Sequence, residues 1–462
     1  MRVRNFLLLL LFVFPLTLDF SLLAEESAKR PNIVIFLADD LGWADVGWHG
    51  NEIKTPNLDK LASQGIRLER FYVQPVCTPT RASLMTGRYP IRYGLQTGVI
   101  RPWADYGLPT EEQTLAQALR ENGYYTAILG KWHLGETKKK YLPLQRGFDY
   151  HYGLYLGALD YYEHTRDNGL DWHRNGQPVR EKGYTTDLLA ADAVKLIKSH
   201  DTTKPLFLYI PFNAVHGPYQ EAPDPKWKEH YADLQGKPQR KIYAGMVSTM
   251  DTAIGKVVAA LKEKGIDDNT LIFFSSDNGG PNPKNITDNG KLRAGKGTLY
   301  EGGVRVPAFA VWQGKIKPGT ISEQPIHITD LYPTLLKITG TKIKQKLPLD
   351  GVDIVETLLE NKPSERKEIL HNAEPNRGAL QRDNWKLVLT NLDKPKQTKK
   401  ELFYLKDDPN EQNDLATKHP EKVEELLKRY ESYAKNAVPA LRKPKPKNIK
   451  QQEVWGDFND EN

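Results

Sequence analysis

Three runs of the chain are apolar without alternation and stop abruptly at polar residues. Asn32-Ile33-Val34-Ile35-Phe36-Leu37-Ala38 ends in Asp39-Asp40, Leu206 to Phe212 ends in Asn213-Ala214-Val215-His216, and Thr270 to Ser276 ends in Asp277-Asn278-Gly279-Gly280. Continuous runs rich in β-branched and aromatic residues are the pattern of strands buried on both faces. A fourth strand is expected from Tyr124 to Leu129, delivering Gly130-Lys131-Trp132-His133-Leu134-Gly135 to the same carboxyl edge. Helical spacing occupies Leu58 to Gly65, Thr110 to Gly123 with its acidic start and Asn-Gly stop, Thr186 to Ser199, Tyr243 to Lys264 and His327 to Thr339. This alternation predicts an α/β domain over residues 30–340, on a largely parallel or mixed sheet covered by helices. Shorter strand patterns at Gly378 to Leu380, Trp385 to Leu389 and Glu401 to Leu405, with a helix from Pro420 to Ala434, predict a smaller α+β domain over 341–441. A Lys-Pro tail, 442–462, reads as loose. Residues Gln145 to Lys182, rich in Tyr, Asp, His and Gly with weak periodicity, read as a long surface excursion.

The segment Cys77-Thr78-Pro79-Thr80-Arg81-Ala82-Ser83-Leu84-Met85-Thr86-Gly87-Arg88 holds the only cysteine in 462 residues. Pro79 suits the first helical position and Gly87 a left-handed stop, so a short helix is expected from Pro79 to Thr86. Cys77 then stands at the helix's positive end, with Arg81 one turn in. A lone cysteine is usually a small buried hydrophobe. It can also be a thiolate nucleophile, since a helix N-terminus and a nearby Arg both lower a thiol's pKa.

Composition changes the picture mainly at the start of the chain. A hydrophobic content of 39% and a charged content of 27% are those of an ordinary globular protein. Met1 to Asn5 is basic, Phe6 to Leu18 is apolar, and small and polar residues follow from Ala24, the layout of a signal peptide covering 1–24. The apolar run is shorter than the roughly 20 residues a membrane span needs, which ranks an anchor below cleavage. Export to a periplasmic or secreted location follows. One cysteine permits no internal disulfide there, and the formal charge of +7 suits an acidic partner.

At the strand ends the residue types point to chemistry. Adjacent carboxylates such as Asp39-Asp40 are common in solvated turns, but here Leu41-Gly42-Trp43 follows, which is not a solvated composition. Asp39, Asp40, Asp277 and Asn278 offer only oxygen, which selects a hard cation, with Ca2+ preferred to magnesium. Arg81, Lys131 and Lys296 could neutralise a tetrahedral anion, and His133 and His216 could act as acid and base. Each could equally be an ordinary surface or structural residue among 11 histidines and 65 lysines and arginines.

Several motifs resemble one family in its own order: Asp39-Asp40-Leu41-Gly42, the Cys77-x-Pro79-x-Arg81 signature with Thr86-Gly87-Arg88, Gly130 to Gly135, Ser276 to Gly280, and Glu301-Gly302-Gly303-Val304-Arg305. They are similar to those of the type I, formylglycine-dependent sulfatases. Arg92 to Gln96, Leu144 to Asp149, Asp160 to His164 and His371-Asn372 look most like the arylsulfatase B, N-acetylgalactosamine-4-sulfatase branch. Thr80 stands where the signature more often has Ser and keeps the hydroxyl. The resemblance implies an alkaline-phosphatase-like fold, with Cys77 converted to formylglycine (3-oxoalanine) by a formylglycine-generating enzyme. Asp39, Asp40, Asp277, Asn278 and residue 77 would bind Ca2+. Arg81 would stabilise the hydrated aldehyde, and Lys131, His216, Lys296 and His371 would bind substrate. The hydrate would attack sulfur, His216 with Lys296 would protonate the leaving alcohol, and His133 would take the proton as sulfate is expelled. The implied substrate is a sulfated oligosaccharide or polysaccharide, including 4-sulfated N-acetylgalactosamine, with no nucleic-acid partner and no stable membrane span. The absence of disulfide cysteines points to a bacterial exported member. A phosphate or phosphonate ester hydrolase of similar fold, and a non-catalytic glycan binder with an unmodified Cys77, are the competing readings.

Overall fold

Asn32–Ala38 is the centre of a ten-stranded sheet in the computed structural model, which describes residues 30–234, 236–281, 286–447 and 452–457. The expected signal peptide, residues 1–24, lies outside them. Thr270–Ser276 and Leu206–Pro211 flank the central strand, both parallel, with Ala38 opposite Ser276 and Leu37 opposite Pro211. Tyr125–Lys131 and Tyr150–Leu154 continue the parallel run. Ala308–Val311 adds an antiparallel strand beyond Thr270–Ser276. Parallel strands in register share their carboxyl ends, so the polar residues after them meet at one rim, where open α/β sheets bind ligands.

Both faces of the sheet are covered, which is why its strands read as unbroken apolar runs. Val34 and Phe36, with Leu208, Ile210 and Phe274, pack under helices Pro56–Ser63, Thr185–Ser199 and Pro238–Lys264. Ile33, Ile35 and Leu37, with Phe207, Tyr209 and Phe273, pack under Cys77–Thr86, Leu115–Glu121 and Leu331–Ile338. The Tyr125–Lys131 strand runs two residues beyond its expected end because Lys131 pairs with Leu154 of the next strand. Gly130 permits this: a Cβ there would stand 2.0 Å from the Pro211 carbonyl oxygen.

Residues 145–182 are not a surface excursion. Tyr150–Leu154 joins the sheet, and Asp171, Trp172 and His173 are buried. The Trp172 indole donates to Glu181 (2.8 Å), so the aromatic residues are packed with their polar tips satisfied. Thr165–Arg166 and Gly169–Leu170 form a hairpin closed by Asp167 and Asn168, both at positive φ (49° and 66°), the twist-matched two-residue turn. Part of the tail docks on it. Trp455 is buried, its indole N–H donates to the Arg166 carbonyl (2.8 Å), and its backbone N–H to that of Leu170 (2.9 Å). The expectation of a wholly loose tail therefore fails at residues 452–457, where one buried tryptophan and two backbone bonds hold the chain.

The smaller unit is a four-stranded antiparallel sheet, Glu368–Ala373, Arg377–Arg382, Trp385–Thr390 and Lys399–Tyr404, covered by helix Pro420–Ala434 through Val423, Leu426 and Tyr430. Ile354 and Leu358 pack into the main core, so the connecting segment belongs to the larger unit until after them. The two units are joined by a buried charge cluster in which Lys386 Nζ meets Glu301 Oε1 (2.8 Å) and Glu411 Oε1 (2.9 Å). Burial of the carboxyl holds Glu411 up at about 7, against the pull of Lys386, while Lys386 and Arg305 outweigh burial and keep Glu301 below its usual value. Lys386→Met would leave two buried acids facing each other. The expected loss is about 3–5 kcal/mol of stability, read by urea unfolding.

Candidate active site

The helix Cys77–Thr86 starts two residues earlier than Pro79, because the Thr80 N–H already reaches the Val76 carbonyl (3.3 Å). The Thr80 hydroxyl accepts from Gln74 N–H (3.0 Å) and donates to Gln74 O (3.1 Å), which fixes the turn into the helix. Gly87 (φ 68°) closes the far end, as expected. Cys77 is 2% exposed, with Sγ 3.5 Å from Asp39 Oδ1 and 3.6 Å from Lys296 Nζ. Burial and the Asp277 carboxylate push its thiol up to about 12, which Lys131 and Lys296 do not offset. Burial thus outweighs the helix end here and disfavours the thiolate of the unmodified sulfur.

Around Cys77 three cations meet three carboxylates. Lys131 Nζ lies 2.5 Å from Asp39 Oδ2, Lys296 Nζ 2.6 Å from Asp40 Oδ1, and Arg81 holds Asp277 Oδ2 through Nε (3.0 Å) and Nη2 (2.8 Å). Arg81 Nη1 donates to the Lys131 carbonyl (2.8 Å), tying the helix to the neighbouring strand end. Burial alone would raise Asp39, but Lys131, His216, Arg81 and Lys296 hold it well below the usual carboxylate range. Burial and the adjacent Asp39 push Asp277 up. Burial would lower Lys296, yet Asp40 and Cys77 keep it well above its ordinary value. Asp40 reaches the group only by taking a left-handed backbone (φ 64°), a strain of about 1–3 kcal/mol that such sites store.

The donor set fits a hard divalent cation. One ligand atom from each of Asp39, Asp40, Asp277 and Cys77 lies within 4.8 Å of every other. Asn278 donates through Nδ2 to Asp40 Oδ1 (2.7 Å) and to Gly279 O (3.0 Å), while its Oδ1 is buried with no partner among the described residues. A buried amide oxygen left over beside three carboxylates is what an oxygen-coordinated cation would use.

His133 and His216 stand over this floor. His133 also has a left-handed backbone (φ 57°), and its Nε2–H donates to Ile100 O (2.9 Å). That bond leaves Nδ1 as a buried acceptor without a partner among the described residues. Burial, Lys131 and Arg81 push His133 well below the usual imidazole value, so the ring is neutral. Gly157 makes room for it, since a Cβ there would lie 2.5 Å from the ring. His216 is bonded through Nδ1 to Gly217 O (2.6 Å) and turns Nε2 toward Asp40 (3.6 Å). Tyr161 OH holds its segment by bonds to Asn213 O and His216 O, each 2.8 Å. Cys77, His133, His216 and Lys296 line one cleft of about 210 Å3.

Nearly every sequence-predicted residue is brought together here. The exception is His371, expected to bind substrate. It is fully buried in the smaller sheet, bonded to Gln381 (3.3 Å) and packed edge-on against Tyr72, and it does not line the cleft. Its strand carries a register shift between Leu370 and Asn372 that keeps both polar side chains inside. Sequence reasoning missed Ile100, Gly157 and Tyr161. The only signal for them was a tyrosine within Asp160 to His164 and an unexplained Gly-Val-Ile before Arg101.

A mixed, mainly parallel sheet carries three buried carboxylates and three cations at its carboxyl rim, an arrangement suited to an oxyanion ester. Residues 31–341 match the family described as Sulfatase, and residues 294–436 that described as N-sulphoglucosamine sulphohydrolase, C-terminal. The chain is 38% identical over 470 residues to Arylsulfatase J of Mus musculus, covering 90% of this chain and 78% of that protein. It is 35% identical to N-acetylgalactosamine-6-sulfatase of Rattus norvegicus, covering 75% and 69%. The crystal structure of Ps i-CgsB in complex with k-i-k-neocarrahexaose superposes with a TM-score of 0.81 at 33% identity, covering 89% of this chain and 94% of that one. The chain belongs to the sulfatase family and is a sulfuric ester hydrolase.

Proposed function

We propose that this enzyme removes sulfate from a sulfated saccharide, using formylglycine at residue 77 and one calcium ion. The observation that carries this is the position of Cys77. It lies on the floor of a cleft shared with His133, His216 and Lys296, against the carboxylates of Asp39, Asp40 and Asp277. A maturation enzyme oxidises Cβ of Cys77 to the aldehyde, whose hydrate supplies an oxygen nucleophile. Asp39, Asp40, Asp277 and Asn278 would hold the calcium ion, which would supply positive charge for a sulfate oxygen. Lys131 and Lys296 bind the remaining sulfate oxygens, and Arg81 fixes the hydrate through its place on the same helix. His216 gives a proton from Nε2 to the leaving oxygen, and His133 Nδ1 is the open acceptor for the proton lost from residue 77. The chain is exported with residues 1–24 removed. Among the described residues no helix is long and apolar enough to cross a membrane.

Saccharides are named for the relatives, in N-acetylgalactosamine-6-sulfatase and in the k-i-k-neocarrahexaose complex of Ps i-CgsB. The motif resemblance supports the 4-sulfate of N-acetylgalactosamine as the ester for this chain. Matched 4- and 6-sulfated sugars separate the two. The reaction class is tested with aryl sulfate against aryl phosphate: faster sulfate turnover is expected, and faster phosphate turnover would favour a phosphate or phosphonate ester hydrolase.

His216→Ala carries a sharper expectation. Loss of a general acid costs about 10²–10⁴-fold when the leaving group needs a proton. Sugar sulfates should therefore slow by that amount, while 4-nitrophenyl sulfate, whose phenolate leaves unaided, slows far less. Equal losses on both would show that His216 does not protonate the leaving oxygen.

A further inference from the structure

Two arginines line the mouth of the Cys77 cleft and take no part in the chemistry above. Arg101 and Arg166 border the same cavity as Cys77, His133, His216 and Lys296. The deep cations each have a carboxylate, namely Arg81 with Asp277, Lys131 with Asp39 and Lys296 with Asp40. The mouth differs. Arg101 is exposed and its guanidinium has no hydrogen-bond or ion-pair partner among the described residues. Arg166, 36% exposed, has as its one ion-pair partner among the described residues its neighbour Asp167 (3.3 Å), itself 65% exposed. Such an exposed pair holds little energy and is readily exchanged for a better anion.

Both arginines are held on fixed backbone. Arg101 follows Ile100, whose carbonyl binds His133 Nε2 and whose N–H binds the Thr78 hydroxyl (3.2 Å), next in sequence to Cys77. Arg166 stands on the tight hairpin, and its own carbonyl is capped by the Trp455 indole. The Arg101 guanidinium is unpaired among the described residues and that of Arg166 meets an exposed Asp167, while their backbones are tied to the reaction centre on one side and to the tail on the other. Arginine in this state suits forked contact with a sulfate or carboxylate.

We propose that Arg101 and Arg166 form a subsite for a second anionic group of the substrate, beside the sulfate that is hydrolysed. This rests on the sulfatase reading and narrows it to saccharides with two negative charges near one another. The second charge is a further sulfate ester or a uronate carboxylate, groups that share the same recognition chemistry.

The test compares kcat/KM on three matched disaccharides: one with the scissile sulfate alone, one with a second sulfate, and one with a uronate. The parent enzyme is expected to prefer a doubly charged substrate, and that preference should fall with ionic strength. Arg101→Ala and Arg166→Ala should each reduce the preference by about tenfold, the size of one charge-assisted contact, mainly through KM. Arg101→Lys and Arg166→Lys should restore part of it, which a purely structural role would not give. Loss confined to the bis-sulfated or to the uronate substrate identifies which anion is read. A preference ratio unchanged in both alanine variants overturns the subsite. If the parent turns over no sulfate ester of any kind, the sulfatase reading itself falls.

Discussion

Cys77→Ala is expected to lower turnover of an aryl sulfate by about 10⁴-fold or more, the scale of removing a nucleophile from an intact site. The side chain removed is small and makes only long contacts to Asp39 and Lys296, so the protein should stay folded. Retained calcium and an unchanged unfolding curve would show that the loss is chemical. The same preparation of the parent offers the complementary measurement, the mass of the tryptic peptide Phe71 to Arg81, which distinguishes thiol from aldehyde. Parent-level turnover by the alanine variant would remove residue 77 from the mechanism. It would also leave the non-catalytic glycan binder as the better account of this cleft.

Asp277→Asn is the second large effect, and it acts on two properties at once. The carboxylate is a proposed calcium ligand, and it is also the partner of the buried Arg81 guanidinium through two bonds. Calcium content, read by elemental analysis, should fall to background, and activity with it. Stability should drop by about 3–5 kcal/mol, because a buried cation loses its counter-charge. The amide keeps the shape and one acceptor, so this substitution tests charge rather than packing. Calcium held at the parent's stoichiometry would remove Asp277 from the ligand set while leaving its structural bond to Arg81 in place.

How far the chain could be read depended on how local each feature is. The strands Asn32–Ala38 and Thr270–Ser276 were legible because burial on both faces writes an unbroken apolar run, and their polar ends then marked the rim. Gly87 stopped its helix where a left-handed residue was required. The hairpins in residues 145–182 have strands of two residues, too short for any periodicity, so a buried segment looked like a surface one. Cys77 shows a different limit. Its place at a helix start suggested a lowered pKa, but the decisive influence is burial beside Asp277, a residue 200 positions away in the chain. His371 entered on the likeness of two adjacent residues alone, and a strand irregularity sends it inward against Tyr72. Arg101 was invisible as a site residue because what positions it is a bond between Ile100 and His133.

The solitary sulfhydryl makes batch quality countable. With one cysteine in the whole polypeptide, a reagent such as a disulfide dye, applied after denaturation, counts residue 77 alone, and so counts the molecules in which the proposed conversion has not occurred. Under the proposed conversion, titrated –SH per mole would give the inactive fraction of a preparation, and dividing by the remainder would put rate constants from different expression hosts on one scale.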